Sequence, residues 1–272
     1  MNTVAQPDGF SRLAQPLQRA LWERGWTGLR DSQIAALPLI LDTRDDVIVS
    51  AATAAGKTEA AFLPLLTRLW AAGQQHREAA NGLVLYVAPV KALINDQVER
   101  LQNFCERMDI PVYPWHGDVG QASRKRFFAD PRGVVMITPE SLESLLFWRG
   151  ADLRQVFAGL EAVVVDELHA FIGNVRGRQL QSLLHRLEAQ LGHRVQRIGL
   201  SATLGVKSRL FIKPFCNRTP PRKPRKMPTG LLPTSYLCAC ARPTIWFSRR
   251  VWAWSSFMPT PCASTARVLG YR

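Results

Sequence analysis

The sequence predicts an α/β fold with a single parallel sheet flanked by helices. Short runs rich in valine and isoleucine alternate along the chain with amphipathic stretches, which is the pattern of parallel strands joined by crossover helices. Most of these runs are apolar throughout, as expected for strands that are covered on both faces. The alternation ends abruptly after residue 205, so we expect one such domain over residues 28–205.

The elements of this domain follow from the apolar pattern. The predicted strands are 46–50, 82–89, 110–115, 133–138, 162–167 and 194–203. The predicted helices between them are 57–72, 91–107, 120–129, 140–148 and 175–190. Residues 1–27 are predicted to form a helical lead-in, because Leu13, Leu17, Leu21 and Trp22 have helical spacing. Ligands of parallel sheets bind beyond the carboxyl ends of the strands, so informative residues should follow the apolar runs.

The net charge of +14 lies almost entirely in the last quarter of the chain. Residues 206–272 contain 13 lysines and arginines and no acidic residue, which leaves residues 1–205 with a net charge of only +1. The net charge of the chain is therefore no argument for nucleic-acid binding by the predicted domain. No apolar run is long enough to cross a bilayer, and the first residues lack the pattern of a secretory signal. We expect no membrane association and a cytoplasmic location.

A small-residue loop follows the first predicted strand and leads into a helix. This order is typical of a phosphate-binding loop, in which backbone N–H groups and the helix N-terminus bind phosphate oxygens. Lys57 is expected to reach the β- and γ-phosphates of ATP, and Thr58 to bind Mg²⁺. Alanine replaces the usual glycine at Ala51 and Ala54, and the alternative is an ordinary turn. The expected nucleotide-binding residues of this loop are Thr53, Ala54, Ala55, Gly56, Lys57 and Thr58.

Two adjacent carboxylates end the most apolar strand, in the sequence AVVVDELHAF. Asp166 is expected to hold Mg²⁺, and Glu167 to orient and deprotonate the attacking water. Without a cation the two charges would repel each other. The alternative interpretation is a turn with solvated acids. With Lys57, these carboxylates are the predicted catalytic residues.

Further motifs follow the predicted elements in a fixed order. Gln33 lies 24 residues before Lys57, APVKAL (88–93) and TPE (138–140) each follow a strand, and Ser201-Ala202-Thr203 lies 35 residues past Asp166. Together with the phosphate loop and the acidic motif, they resemble the motifs of superfamily-two DExH/DEAD-box helicases. AAGKTEAAFLPLL, DELH and Arg176-Gly177-Arg178-Gln179-Leu180 are most similar to the large helicase-related, Lhr-type branch.

The resemblance implies an N-terminal RecA-like, ATP-binding domain that uses Mg²⁺ and acts on nucleic acid, DNA rather than RNA. It implies that Gln33 reads adenine, which a side-chain amide can do through N6 and N7. The loop at His116-Gly117-Asp118 resembles a helicase loop or is a plain turn, and Arg124-Lys125-Arg126 is expected to be a solvated helix face. The expected nucleic-acid contacts are Pro89, Lys91, Thr138, Pro139 and Glu140. The residues expected to couple ATP turnover to strand separation are His169, Ser201 and Thr203.

Helicases of this family have a second RecA-like domain that supplies an arginine finger to ATP in the cleft between the domains. Neither a second strand–helix alternation nor a Q-x-x-G-R-x-x-R pattern follows Gly205 in this sequence. We therefore expect this chain alone to bind Mg·ATP weakly and to hydrolyse it slowly or not at all, unless a partner chain supplies the second domain. One alternative is a non-catalytic nucleic-acid-binding protein with a vestigial nucleotide site. A different phosphate-loop ATPase is disfavoured by the TPE and SAT motifs.

The tail at residues 206–272 has three interpretations. Its lysines and arginines suit a basic arm that binds phosphates, although such arms usually lack tryptophan and cysteine. It contains Cys216, Cys238, Cys240 and Cys262, but their spacing is a poor match to a metal site. The loss of acidic residues and of periodicity also suits translation out of frame. The last interpretation predicts a motif of the second domain in another reading frame of the gene.

Overall fold

The structure is a computed structural model that describes residues 9–51, 56–75, 82–150, 152–202, 235–240 and 244–245. All six predicted strands are present, each within two residues of its predicted ends. They are β1 (Asp46–Ala51), β2 (Leu83–Val87), β3 (Val112–Trp115), β4 (Gly133–Ile137), β5 (Leu160–Val165) and β6 (Gln196–Ser201).

The helices also match the prediction, with additions. They are α1 (Gln15–Glu23), α2 (Asp31–Leu41), α3 (Lys57–Gln75), α4 (Lys91–Glu106), α5 (Gln121–Ala129), α6 (Pro139–Trp148), α7 (Leu153–Val156) and α8 (Val175–Leu191), with 3₁₀ turns at Gly9–Arg12 and Leu168–Phe171. Within the lead-in, Leu17 and Leu21 are fully buried, but Trp22 is 72% exposed and is not a core position. The sequence analysis missed α2, because its apolar residues surround the whole helix instead of forming a stripe.

The six strands form a parallel sheet in the order β3-β4-β2-β5-β6-β1, which confirms the predicted fold class. Val87 of β2 pairs with Ile137 of β4 and with Val165 of β5, so the carboxyl ends of these strands are level. Two short strands, β7 (Ser235–Cys240) and β8 (Thr244–Ile245), extend the sheet antiparallel beyond β1. The sequence analysis predicted no strand in residues 206–272, because that segment shows neither clean alternation nor a helical stripe.

Helices cover both faces of the sheet. Buried side chains of α1 to α4 pack on one face and those of α5, α6, α7 and α8 pack on the other, so that β1, β2 and β4 are buried along their whole length. Along β2, Val84 and Tyr86 belong to the first cluster and Leu85 and Val87 to the second. This two-sided burial explains why the strands are continuous apolar runs in the sequence. Among the described residues no helix is long and apolar enough to cross a membrane.

Candidate functional site

The predicted motifs follow strands whose carboxyl ends lie along one edge of the sheet. The phosphate loop follows β1, the acidic motif follows β5, and Ser201 ends β6, which places the nucleotide motifs on one half of this edge. The sequences APVKAL and TPE follow β2 and β4, and His116 follows β3, which places these motifs on the other half. The two halves meet where β2 pairs with β5. Strand order thus arranges one chain's loops into two adjacent sites.

The phosphate loop turns into its helix at a residue with left-handed backbone. Gly56 has a φ of +75°, a backbone conformation that residues with a Cβ rarely adopt, and α3 starts at the next residue. The Lys57 ammonium donates a hydrogen bond of 3.0 Å to the carbonyl oxygen of Ala51, so it already lies across the loop. Thr58 is 9% exposed in the first turn of α3. The expected phosphate contacts at Thr53, Ala54 and Ala55 lie outside the described residues.

Gln33 contacts the phosphate loop directly. Its side chain is 1% exposed, and its Oε1 accepts a hydrogen bond of 2.9 Å from the backbone N–H of Arg30, as part of the capping box of α2. Its Nε2 donates to the carbonyl oxygen of Gly56 at 3.4 Å. The capping box fixes the amide, and the amide abuts the turn where α3 begins. Gln33 therefore lies beside the nucleotide motif, and its contact with adenine remains a prediction.

The acidic motif is held by three hydrogen bonds to Asp166. Asp166 is 5% exposed just beyond β5, and its backbone N–H donates to the carbonyl oxygen of Val87 at 2.9 Å. Its Oδ1 accepts a hydrogen bond of 2.8 Å from the backbone N–H of Glu167, and its Oδ2 accepts one from the hydroxyl of Tyr86. Glu167 has a φ of +45°, so the chain turns sharply between the two carboxylates. Burial raises the pKa of Tyr86 far above its usual value, and the carboxylate of Asp166 raises it further. The hydroxyl therefore stays protonated and acts as a hydrogen-bond donor.

The carboxylates fit a magnesium nucleotide. Each oxygen of Asp166 accepts one protein hydrogen bond and can accept more, which leaves capacity for a cation or its water ligands. Oε2 of Glu167 is buried and accepts no hydrogen bond among the described residues, although the imidazole of His169 lies close enough to pair with it when protonated. Those residues contain no cluster of three or more histidine, cysteine or acidic side chains that could hold a metal. Mg²⁺ usually binds to one or two carboxylates together with substrate phosphates, which is the donor set available here.

A histidine joins the acidic motif to the end of β6. Nδ1 of His169 lies 3.1 Å from Oε2 of Glu167, which allows an ion pair when the imidazole is protonated. The same nitrogen lies 3.4 Å from the hydroxyl oxygen of Ser201, a fully buried residue. The structure therefore brings together two of the three residues expected to act in coupling. The third, Thr203, lies outside the described residues.

The other half of the edge presents two helix N-termini. Lys91 begins α4 after Pro89, and its ammonium contacts both carboxylate oxygens of Asp118 at 3.1 and 3.0 Å, which lowers the pKa of Asp118. Thr138 caps α6, and its hydroxyl oxygen accepts a hydrogen bond of 3.3 Å from the N–H of Ser141. The helix α4 begins without a side-chain cap, and the N-termini of both helices point backbone N–H groups in the direction that phosphate binding requires.

Glu140 and Arg124, on this half of the edge, make side-chain contacts that the sequence analysis did not predict. The carboxylate of Glu140, the residue after Pro139 in α6, binds Arg176 of α8 through two hydrogen bonds of 2.5 and 2.8 Å, which lower the pKa of Glu140. A carboxylate in such a pair is not a phosphate ligand, so any nucleic-acid contact here would come from its backbone. The expectation of a solvated face at residues 124–126 is wrong for Arg124, which is half-buried and donates to the carbonyl oxygen of His116 at 3.2 Å.

Sequence reasoning missed two residues that hold these loops. Tyr86 is the single polar side chain in the apolar run LVLYV, and that exception was the available signal. Asn95 lies within α4, where its Oδ1 is 3.0 Å from Nε2 of the buried His116. Nothing in the spacing of Asn95 indicates this contact, because the two residues belong to different elements.

Comparison with known proteins gives consistent matches. The sequence model of the DEAD/DEAH box helicase family matches residues 30–210. The Lhr helicase/uracil glycosylase of Escherichia coli is 36% identical over 176 residues, which cover 59% of this chain and 11% of that protein. The corresponding protein of Mycolicibacterium smegmatis, called a Lhr helicase and probable uracil glycosylase, is 34% identical over 221 residues, covering 76% of this chain and 13% of that protein. The chain thus spans about an eighth or less of these relatives.

Solved structures give the same result. The helicase Lhr of Mycobacterium smegmatis, bound to ssDNA and AMP-PNP, has a TM-score of 0.64 and 29% identity over 76% of this chain and 27% of that one. The DUF1998 helicase MrfA bound to DNA has a TM-score of 0.66 and 25% identity over 78% of this chain and 29% of that one. The match covers one part of a larger protein in both cases.

Proposed function

The chain belongs to the DEAD/DEAH box helicase family, and we propose that it is the first motor domain of an ATP-dependent DNA helicase of the Lhr type. The observation that supports this proposal is the division of one sheet edge. Loops suited to a magnesium nucleotide follow β1, β5 and β6, and loops suited to phosphate backbones follow β2 and β4. Since the halves touch between β2 and β5, events at one can reach the other through paired strands.

On the nucleotide half, we assign each side chain a role in binding or hydrolysing ATP. Lys57 would exchange the carbonyl oxygen of Ala51 for the β- and γ-phosphates, while Gln33 would read adenine beside the turn at Gly56. Thr58 and Asp166 would hold Mg²⁺, which supplies charge neutralisation at the phosphates. Glu167, whose buried Oε2 lies 3.1 Å from Nδ1 of His169, would orient the attacking water and accept its proton.

On the nucleic-acid half, binding would be independent of base sequence. Lys91 would transfer from Asp118 to a phosphate, and the N-termini of α4 and α6, which follow Pro89 and Thr138, would donate backbone N–H groups. We propose DNA over RNA because the similar structures at 25% and 29% identity are complexes with DNA and ssDNA.

We further propose that this polypeptide by itself turns ATP over slowly. The printed sequence contains one RecA-like unit and lacks the Q-x-x-G-R-x-x-R pattern that carries the arginine finger. An arginine finger raises turnover by several powers of ten in related phosphoryl-transfer sites. A further polypeptide segment or a partner chain with the second domain would restore the rate.

Substitution of the phosphate-loop lysine tests the proposal. We expect wild type to bind a fluorescent ATP analogue in the presence of Mg²⁺ and single-stranded DNA in a filter assay, with ssRNA of the same sequence binding more weakly. Lys57→Ala should lose nucleotide binding by roughly a hundredfold, because a charged hydrogen-bond donor to phosphate is removed. Lys125→Ala is the matched control, since Lys125 is exposed on α5.

Three outcomes would contradict parts of the proposal. Equal nucleotide affinity in wild type and Lys57→Ala would refute the proposed nucleotide site. DNA-stimulated ATPase at the rate of intact helicases would refute slow turnover by this chain alone. DNA binding without any measurable ATP binding would indicate a non-catalytic nucleic-acid-binding protein with a vestigial nucleotide site.

A further inference from the structure

A tyrosine hydroxyl within the sheet contacts the acidic motif. Tyr86 of β2 is fully buried, and its hydroxyl donates a hydrogen bond to Oδ2 of Asp166, which lies 80 residues later in the chain. A phenylalanine would fill the same space without a polar group to satisfy. A buried hydroxyl is favourable only when it is paired, so the pairing itself requires an explanation beyond packing.

The contact fixes the orientation of the carboxylate. Oδ1 of Asp166 accepts the backbone N–H of Glu167 at 2.8 Å, and Oδ2 accepts the hydroxyl of Tyr86. One donor therefore belongs to the turn after β5 and the other to the neighbouring strand β2. A carboxylate held at both oxygens loses its rotation about the last side-chain bond, which leaves its remaining lone pairs in fixed directions.

Tyr86 also contacts the helix of the phosphate loop and leads into the loop after β2. Its ring centroid lies 5.7 Å from that of Phe62, which is on α3, the helix that begins at Lys57. Three residues after Tyr86 the chain reaches Pro89, at the start of the loop that we propose binds nucleic acid. The side chain thus bridges the two nucleotide elements, α3 and Asp166, from a strand that ends in the nucleic-acid half.

We propose that Tyr86 is a positioning residue that orients Asp166 for the Mg²⁺ of bound nucleotide and transmits movement of the loop after β2 to that carboxylate. This inference rests on the function proposed above and deepens it. A displacement of β2 by nucleic acid at Pro89 would shift the hydroxyl, and with it the direction of the lone pairs of Asp166. Reciprocally, a metal-bound Asp166 would hold β2 in one position, as thermodynamic coupling between two ligands requires.

The test compares Tyr86→Phe with the matched control Tyr113→Phe. Tyr113 is a buried sheet tyrosine on edge strand β3, and its ring packs against Phe127. The first measurement is the Mg²⁺ concentration that half-saturates binding of a fluorescent ATP analogue, with the affinity in EDTA as reference. For Tyr86→Phe we expect this concentration to rise roughly tenfold with the EDTA affinity unchanged, which is the scale of one hydrogen bond to a charged group. Tyr113→Phe should change neither.

The second measurement is the ratio of ssDNA affinities with and without a magnesium-bound, non-hydrolysable ATP analogue. This ratio should approach one in Tyr86→Phe and stay at the wild-type value in Tyr113→Phe. If Tyr86→Phe fails to fold, Phe62→Leu removes the ring packed on Tyr86 and keeps the hydroxyl, and it should change both measurements in the same direction by a smaller factor.

The outcomes separate this inference from the function it rests on. A wild-type chain that shows no Mg²⁺-dependent nucleotide binding overturns both. A wild-type chain that does, with Tyr86→Phe unchanged in Mg²⁺ dependence, overturns only the positioning role. Equal losses for Tyr86→Phe in Mg²⁺ and in EDTA would indicate a purely structural tyrosine and would also overturn it.

Discussion

Replacement of Gly56 by alanine tests the geometry that joins Gln33 to the phosphate loop. The backbone of Gly56 has a φ of +75°, and a left-handed conformation costs a residue with a Cβ about 1–2 kcal/mol. A Cβ at this position would lie 2.5 Å from Nε2 of Gln33, so the amide must move. Gln33 is 1% exposed, so solvent would not replace the hydrogen bonds to Gly56 and Arg30 that the amide loses when it moves.

The two contributions add to a measurable loss of stability. Each lost hydrogen bond contributes about 1 kcal/mol, so Gly56→Ala should lower the free energy of unfolding by roughly 3–4 kcal/mol in total. Gly173→Ala is the matched control, because Gly173 has a φ of +74° and its added Cβ would meet no atom within 4 Å among the described residues. This control should lose only the backbone part, about 1–2 kcal/mol.

Urea unfolding followed by far-ultraviolet circular dichroism measures these values. A double-mutant cycle isolates the clash, since in a Gln33→Ala background Gly56→Ala should cost no more than Gly173→Ala. Nucleotide affinity provides a second readout and should fall in Gly56→Ala but not in Gly173→Ala. If Gly56→Ala and Gly173→Ala are equally stable, or if Gln33→Ala leaves the cost of Gly56→Ala unchanged, the proposed contact is refuted.

Three further predictions concern other contacts. Arg197 is 1% exposed and donates to Glu188 at 2.7 Å, so Glu188→Gln should lower the free energy of unfolding by about 3 kcal/mol in urea, since a buried charge loses an oppositely charged partner. The hydrogen bond from Arg176 lowers the pKa of Glu140, so this pair stabilises the fold above the usual carboxylate pKa and the effect disappears as pH falls through the lowered value. Glu140→Gln should therefore show a smaller loss of urea midpoint between neutral and acid pH than wild type. Ser201→Ala should leave nucleotide affinity unchanged but weaken the effect of bound nucleotide on ssDNA affinity, measured by titration.

The first of these has a matched control, and each has a contrary result. The exposed pair between Arg149 and Asp152 is the control for the first, where Asp152→Asn should cost less than 1 kcal/mol, and an equal cost for Glu188→Gln would contradict the role of burial. Parallel pH profiles for wild type and Glu140→Gln would argue against the second. Loss of nucleotide affinity in Ser201→Ala would show that the serine acts in binding and not in coupling.

The motifs were predictable because each is local. Gly56-Lys57-Thr58 adjoins a strand and opens a helix, and Asp166-Glu167 follows a strand, so residue type and flanking periodicity were sufficient to find them. Local pattern failed for α2, which is apolar on all sides. Helical spacing also did not show that Trp22, unlike Leu17 and Leu21, is exposed. Periodicity records which residues share a face but not whether another element covers that face.

Contacts between elements were beyond the sequence for a related reason. The bond from Tyr86 to Asp166 requires β2 and β5 to be neighbours, and they are separated in the chain by β3 and β4. The contact of Asn95 with His116 likewise depends on how α4 lies against the end of β3. Strand order and helix placement result from packing the whole domain, so a pairwise contact of this kind has no local signal.

The sequence by itself determined an α/β domain with a nucleotide motif and a set of loops at the carboxyl ends of parallel strands, because these follow from periodicity and from the chemistry of adjacent residues. Only the tertiary structure decided that the order β3-β4-β2-β5-β6-β1 divides those loops into two adjoining halves. Tertiary structure also placed the hydroxyl of Tyr86 on Asp166 and the amide of Gln33 on Gly56. The physical reason is that hydrogen bonds act over about 3 Å, and only the packed sheet brings residues so distant in sequence within that range.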